Sequence, residues 1–288
     1  MPDTVLITTA DRVRFVLLNR PDRHNAFDDA VIRELTAAFE AVAAEPDIRA
    51  VVLAAQGKSF SAGGDLNWMR RSADYSPAEN LADAKALARL MQVVDGCPKP
   101  VLGLVQGAAY GGGVGLVACC DLVVAAEDAR FCLSEVKLGL APAVISPYVV
   151  RAIGARASRR FFLTAEVFDA ATAERLGLVH EVVPSSRLAE RRDAWLRQFK
   201  ANAPGGMAAA KVLARRAAEE PLGQDLIDWT AERIAELRAS DEGREGIRAF
   251  LEKRKPNWTN DCCYSDRSEE GSRRNDEVSR RGRDNNSL

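Results

Sequence analysis

Two glycine clusters hold the residues whose type and spacing could do chemistry. GAAYGGGVGLVACCD, residues 107–121, sets Gly111, Gly112 and Gly113 in an apolar run, with Gly115 close behind. KSFSAGGDLNWM, residues 58–69, places Ala62, Gly63 and Gly64 directly before Asp65. Glycine gives up side-chain packing in either a helix or a strand. A strand that turns into a helix over bare backbone presents amides without an internal acceptor, and the helix dipole there favours negative charge. Two such turns supply two N–H donors to one oxygen, the minimal apparatus for stabilising a thioester enolate. The plainer alternative is close packing of a short helix on a strand, with no ligand. For Asp65 alone, the simplest role is an N-terminal cap. A P-loop is excluded, because no G-K-[ST] follows the glycines. Gly113-Val114-Gly115-Leu116-Val117-Ala118 does match the dinucleotide pattern G-x-G-x-x-[GA]. Only about eight residues separate it from the next strand, fewer than a crossover helix usually needs.

Such turns need elements to hold them. Val5 to Thr9 and Val13 to Leu18 are rich in branched side chains and flank a short A-D-R, which predicts a hairpin. Asp28 predicts the N-cap of a helix with Val31, Leu35, Phe39 and Val42 on one face. AVVLAA, residues 50–55, reads as a buried strand. Ser76 and Glu79 form a capping box with Pro77 at the first helical position, and Gly96 and Pro98 stop that helix after Asp95. VLGLVQG at 101–107 and DLVVAA at 121–126 read as strands on either side of the second glycine cluster. The alternation argues for an α/β core. Beyond residue 144, AVISPYVVRAIG, ASRRFFLTAEVF and DAATAERLG read as short helices, stopped by Gly154 and Gly177. LVHEVVP at 178–184 is one more strand, and helix follows to about Lys253. From Thr259 apolar periodicity is almost absent, which predicts a disordered tail.

Bulk properties narrow the function classes. The chain has 288 residues, 47% hydrophobic and 28% charged, long enough for a substantial core. Lys plus Arg number 40 and Asp plus Glu 41, a balance that points to neither nucleic acid nor an anionic membrane as partner. The six cysteines, Cys97, Cys119, Cys120, Cys132, Cys262 and Cys263, form no disulfide framework and no C-x-x-C metal spacing. With only His24 and His180 present, no His-based metal site is expected. Reduced thiols and the lack of a signal pattern or a bilayer-length apolar run lead to the expectation of a cytoplasmic protein.

Taken together, LNRPDRHNAFD, FSAGGDL, the Gly-Gly-Gly turn followed by ACCDLVVAAEDARF, then SEVKLGLAP and FLEKRKPNW resemble the crotonase (enoyl-CoA hydratase/isomerase) superfamily, in family order over roughly residues 3 to 258. The resemblance implies an α/β fold, a spiral of repeated ββα units followed by a C-terminal helical trimerisation region. The corresponding divisions are residues 1–195 for the CoA-binding and catalytic core, 196–258 for the oligomerisation helices and 259–288 for the tail. It implies an acyl-CoA thioester substrate, a homotrimer or dimer of trimers, and no cofactor, CoA being part of the substrate. Carried over by position, the amides of Ala62 and Gly112 would be the oxyanion donors, and Glu135, before L-G-x-x-P, the catalytic acid or base. Arg23, His24 and Ala26 fall in the early CoA-contacting segment. Ser61, Gly63, Asp65 and Leu66 surround the first turn; Tyr110, Gly115 and Pro142 fall near the second turn and after Glu135. Phe250 and Lys253 match a motif that reaches the CoA of a neighbouring subunit. Arg23 and Lys253 read equally as solvated surface charges, His24 as a surface histidine, Tyr110 as a core aromatic, and Glu135 as a surface acid or a partner for Lys137.

One position departs from the pattern. Hydratases of this family usually carry a second glutamate three residues after the middle glycine, and Gly115 stands there. One carboxyl group can move a proton between carbons, as an isomerase does, or add water. AAYGGGVGLVACCDLVVAAEDARFCLSEVKLGLAPAVISPYVVRAIG is similar to bacterial methylglutaconyl-CoA hydratases of leucine degradation and to isohexenylglutaconyl-CoA hydratases of acyclic-terpene degradation, which also lack the first glutamate. That likeness implies hydration of a branched 2-enoyl-CoA, 3-methylglutaconyl-CoA in particular. The alternatives are an enoyl-CoA isomerase and a non-catalytic acyl-CoA-binding scaffold.

Overall fold

The computed structural model describes residues 3–259. The chain opens with the expected hairpin, β1 (Val5–Ala10) and β2 (Val13–Leu18), turned through Asp11 and Arg12, both at positive φ. Helix α1 (Asp29–Ala44) follows, its first turn held by the Asp28 carboxylate accepting from the Val31 amide. Strand β3 (Ala50–Ala55), the short α2 (Leu66–Ala73) and α3 (Pro77–Asp95) come next, and the Ser76–Glu79 capping box is present. Then come β4 (Val101–Val105), β5 (Ala108–Tyr110), α4 (Gly112–Cys119), β6 (Leu122–Ala126) and β7 (Arg130–Cys132). The remaining elements are α5 (Ser146–Thr164), β8 (Phe168–Asp169), α6 (Ala170–Leu176), β9 (Glu181–Val183), α7 (Leu188–Ala201), α8 (Pro204–Glu219), α9 (Gln224–Ala239) and α10 (Asp241–Leu251). Gly154, at φ 75° and ψ 157°, breaks α5 into two helical pieces where the sequence places a stop.

Six strands form the main sheet in the order β1-β2-β3-β4-β6-β9, antiparallel at β1–β2 and parallel elsewhere. Both faces are covered, which is why β3 reads as a continuous apolar run. Val51 and Leu53 face a core shared with Leu35, Phe39 and Val42 of α1 and Leu90, Met91 and Val94 of α3. Ala50 and Val52 face the other side, where Leu196 is buried and Trp195 and Phe199 of α7 pack. The boundary expected at residue 195 therefore falls inside α7, and that helix belongs to the core, because its apolar residues close the second face of the sheet.

A second sheet, β5-β7-β8, is missed by the sequence reading. Its strands have two or three residues each, too short for an alternation to register. Single parallel bridges, Ser61 to Ala109 and Phe27 to Gly64, extend the stacking to earlier turns of the chain. Successive units thus run from a main-sheet strand to a short extended segment to a helix, the α/β crotonase-type spiral with helices at its C-terminal end. The tail expected from residue 259 lies outside the described residues except for Thr259, which closes a 3-10 turn with Asn257 and Trp258. Cys97, Cys119, Cys120 and Cys132 are free and buried, whereas Cys262 and Cys263 lie outside the described residues. Among the described residues no helix is long and apolar enough to cross a membrane, and no three His, Cys, Asp or Glu side chains gather as metal ligands.

Candidate active site

The two glycine turns leave neighbouring extended segments side by side. The Ser61 amide donates to Ala108 O at 2.9 Å, and the Tyr110 amide donates to Ser61 O at 2.8 Å. Both chains then bend through a glycine at positive φ, Gly63 at 92° and Gly111 at 51°. Side chains there would be strained. The turns also touch: a Cβ on Gly111 would stand 3.9 Å from Gly63 Cα.

Accounting for the amides corrects the expected donor pair. The Ala62 N–H donates to His24 O at 2.9 Å, so it is engaged and does not serve an oxyanion. Phe27 instead brackets Gly64: its amide donates to Gly63 O, and its carbonyl accepts from the Asp65 amide, each at 2.7 Å. The Gly64 N–H itself has no acceptor among the described residues. On the second turn the Gly111 amide donates to Cys132 O, while Gly112 begins α4 with its N–H unpartnered among the described residues. The free pair is Gly64 and Gly112. Sequence position does not separate Ala62 from Gly64, since which amide is used up depends on the His24 backbone across the chain.

Asp65 holds the first turn in place. Its Oδ1 accepts from the amides of Asn67 and Trp68, capping α2, and its Oδ2 pairs with Arg20 at 2.9 Å and Arg23 at 3.2 Å. Burial alone would raise its pKa, but the Trp68 and Asn67 amides, the Arg23 hydrogen bond and the Arg20 charge leave it below the usual aspartate range. It stays ionised and is a cap and an anchor. Arg20 also pairs with Asp28 at 2.9 Å and donates to Ala26 O at 2.8 Å, so one guanidinium joins the starts of α1 and α2. The sequence reading passed over Arg20; its place in N-R-P two residues before Asp22 gave no hint of that link. Buried Asn25, at positive φ, donates to the carbonyls of Gln56 and Ser59 and accepts from the Arg20 amide.

Glu135 begins the 3-10 turn 135–138 between β7 and α5. Its Oε1 lies 3.3 Å from where a Cβ on Gly111 would stand, so the carboxyl group abuts the second glycine turn. Its Oε2 is buried with no hydrogen-bond partner. Burial raises its pKa above the ordinary glutamate range, against a smaller lowering pull from its own backbone amide. A buried carboxyl group with a raised pKa is suited to giving up a proton.

The position of the missing acid is filled. A Cβ on Gly115 would penetrate Ile145 Cγ2, lie 2.9 Å from Ile145 Cβ and approach Met91 Sδ at 3.2 Å. Ile145 and Met91 are both buried. A Cβ on Gly112 would lie 2.8 Å from the Phe27 ring, so the second turn fits only bare backbone.

The other expected residues divide. Buried Ser61 and half-buried Tyr110 frame the junction of the turns. Ala26 and Pro142 are buried, while Arg23, His24 and Leu66 are exposed beside the first turn; His24 Nδ1 contacts Ser59 Oγ at 3.1 Å. Phe250 and Lys253 are not brought to Glu135 by any hydrogen bond or ion pair. Phe250 is 81% exposed on α10, which packs against α8 and α9, and the Lys253 amide donates to Phe250 O. The clefts of about 780 and 820 Å³ lie elsewhere, one between α8–α9 and the core, the other along α5 and α6, and neither is lined by Glu135, Gly64 or Gly112.

Known proteins resemble this chain over most of its length. The family model described as enoyl-CoA hydratase/isomerase matches residues 8–261. The crystal structure of an enoyl-CoA hydratase from Shewanella pealeana superposes with a TM-score of 0.86 at 47% identity, over 88% of this chain and 96% of that one. Pseudomonas aeruginosa AtuE superposes with a TM-score of 0.86 at 38% identity, over 89% and 99% of the two chains. The 2,3-dehydroadipyl-CoA hydratase of Escherichia coli is 32% identical over 255 residues, 88% of this chain and 98% of the relative.

Proposed function

The chain belongs to the enoyl-CoA hydratase/isomerase family, and on that premise we propose that it hydrates a branched 2-enoyl-CoA, converting 3-methylglutaconyl-CoA to 3-hydroxy-3-methylglutaryl-CoA. The observation that carries the reading is the half-buried Glu135, whose Oε2 is buried and unpartnered, beside a glycine turn, next to a second turn that also presents a free amide. The thioester oxygen accepts from the Gly64 and Gly112 N–H groups, which stabilise negative charge as the enolate forms. Water adds at the β-carbon, and Glu135 protonates the α-carbon. Arg20 and Asp65 set the first donor. Arg23, His24 and Ala26 border the CoA, and Phe250 and Lys253 reach that of a neighbouring subunit in a homotrimer or dimer of trimers.

Branching of the substrate is supported by the motif likeness alone; its distal acid is supported also by a relative named for a linear dicarboxylic acyl-CoA. A second reading, enoyl-CoA isomerase, is favoured by the single carboxyl group that Gly115 and Ile145 leave. The two separate on products. Purified enzyme is incubated with 3-methylglutaconyl-CoA, isohexenylglutaconyl-CoA and crotonyl-CoA, following the absorbance of the conjugated thioester and identifying products by mass. A gain of water on 3-methylglutaconyl-CoA supports the proposal. A shifted double bond without added water supports the isomerase, and binding without change of any thioester supports a scaffold.

A further inference from the structure

Hydration has two proton tasks. One proton leaves water as its oxygen attacks the β-carbon, and one reaches the α-carbon. The described site has a single carboxyl group free for either. Asp65 is committed to two amides and two arginines. The side-chain space at position 115 is taken by Ile145 and bordered by Met91, both apolar. The side chains nearest to where a Cβ on the glycines at 63, 64 and 112 would stand are Tyr110, Trp68, Met69 and Phe27, none of them a carboxylate or imidazole. The connection between β7 and α5 thus brings one acid, Glu135, and ten residues on brings the side chain that bars a second.

We propose that the group that takes the proton from water is a carboxylate on the substrate, and that Ile145 is the residue that makes the enzyme depend on it. This rests on the hydratase reading above. The substrate class is a 2-enoyl thioester whose β-carbon bears a carboxylate through one or two methylenes. The water O–H bond breaks and its proton passes to that carboxylate, while the oxygen bonds to the β-carbon. The π electrons move to the thioester, whose oxygen is held by the Gly64 and Gly112 amides. The enolate collapses as Glu135 gives its proton to the α-carbon. The new substrate acid then returns one proton to Glu135 through solvent, so the net change is one water added.

The test compares 3-methylglutaconyl-CoA with the analogue in which the distal acid is a carboxamide. The expected result for the wild type is a kcat about 100-fold lower on the carboxamide, the usual worth of a positioned base, while the carboxamide still inhibits hydration of the acid competitively. Ile145→Ala retains this ratio. In Gly115→Glu/Ile145→Gly, which removes both Ile145 atoms that crowd position 115 and supplies an acid, the ratio collapses toward one. Equal kcat on acid and carboxamide in the wild type overturns the substrate-assisted step and leaves the hydratase reading standing. Isomerisation without hydration overturns both. If the double variant fails to fold by circular dichroism, the wild-type ratio alone decides.

Discussion

Gly115 and Ile145 should behave as one packing unit. In Gly115→Ala the new methyl penetrates Ile145 Cγ2 and presses on Met91 Sδ, 3.2 Å away. Neither neighbour lies at a mobile surface, as both are buried in the main core. Overpacking of that kind costs about 1–3 kcal/mol. Alanine in place of glycine inside α4 returns about 1 kcal/mol of helix propensity, so the expected net loss is about 0–2 kcal/mol. Ile145→Ala alone opens a buried cavity at about 2–5 kcal/mol. In the double variant the added methyl enters the vacated space, the clash with Cγ2 disappears while the Cβ kept at position 145 stays 2.9 Å away, and the helix gain remains. The double should then be less destabilised than the sum of the singles by about 1–3 kcal/mol. Urea unfolding of the four proteins, with a shared slope, measures this coupling. Additivity within about 0.5 kcal/mol would show that Ile145 does not occupy the space at position 115, and the one-acid argument would lose its structural basis.

Asp65→Ala removes one partner of a buried ion pair and the α2 cap, so it should destabilise the fold by about 3–5 kcal/mol and, in the protein that remains folded, lower kcat by about 10²-fold as the Gly64 amide drifts. Stability by urea titration and turnover per folded molecule separate the two effects. Lys211→Ala should cost stability but leave turnover of folded enzyme unchanged. Its Nζ pairs with Asp121 at 2.6 Å and donates to Cys97 O and Lys99 O, tying α8 to the core away from Glu135. Glu135 gives a pH signature. Its folded pKa is raised, so the unfolded chain releases the proton first, and stability falls as pH rises from the ordinary glutamate range through the folded value. Glu135→Gln should lack this slope, and the gap between wild type and variant should widen with pH in that window, by at most about 1.4 kcal/mol for each pH unit. Parallel thermal or urea curves for the two proteins at all pH values would contradict it.

How much could be read from the sequence depended on length and on locality. The hairpin, α1 with its Asp28 cap, β3 and the capped α3 are long, periodic or bounded by residues with one structural use, and each lies where it is expected. The second sheet is two or three residues wide and held by neighbours distant in sequence, so no local pattern announces it. The glycine turns were legible as turns because only glycine suits their backbone. Which amide they leave free was not, because Ala62 is consumed by a carbonyl 38 positions earlier, that of His24. Arg20 escaped notice for the same reason: its partners, Asp28 and Asp65, converge only in three dimensions. Gly115 was visible as a lost acid. That Ile145 fills its place is a matter of packing between α4 and the start of α5, which spacing alone does not encode.

The kinetics of Glu135→Gln on 3-methylglutaconyl-CoA, with binding of the thioester followed separately, address the buried carboxyl group most directly. Amide replacement keeps the shape and removes the proton that reaches the α-carbon, so kcat should fall by about 10²–10⁴-fold with affinity little changed. A folded variant that adds water at a rate near that of the wild type would show that the proton comes from somewhere else.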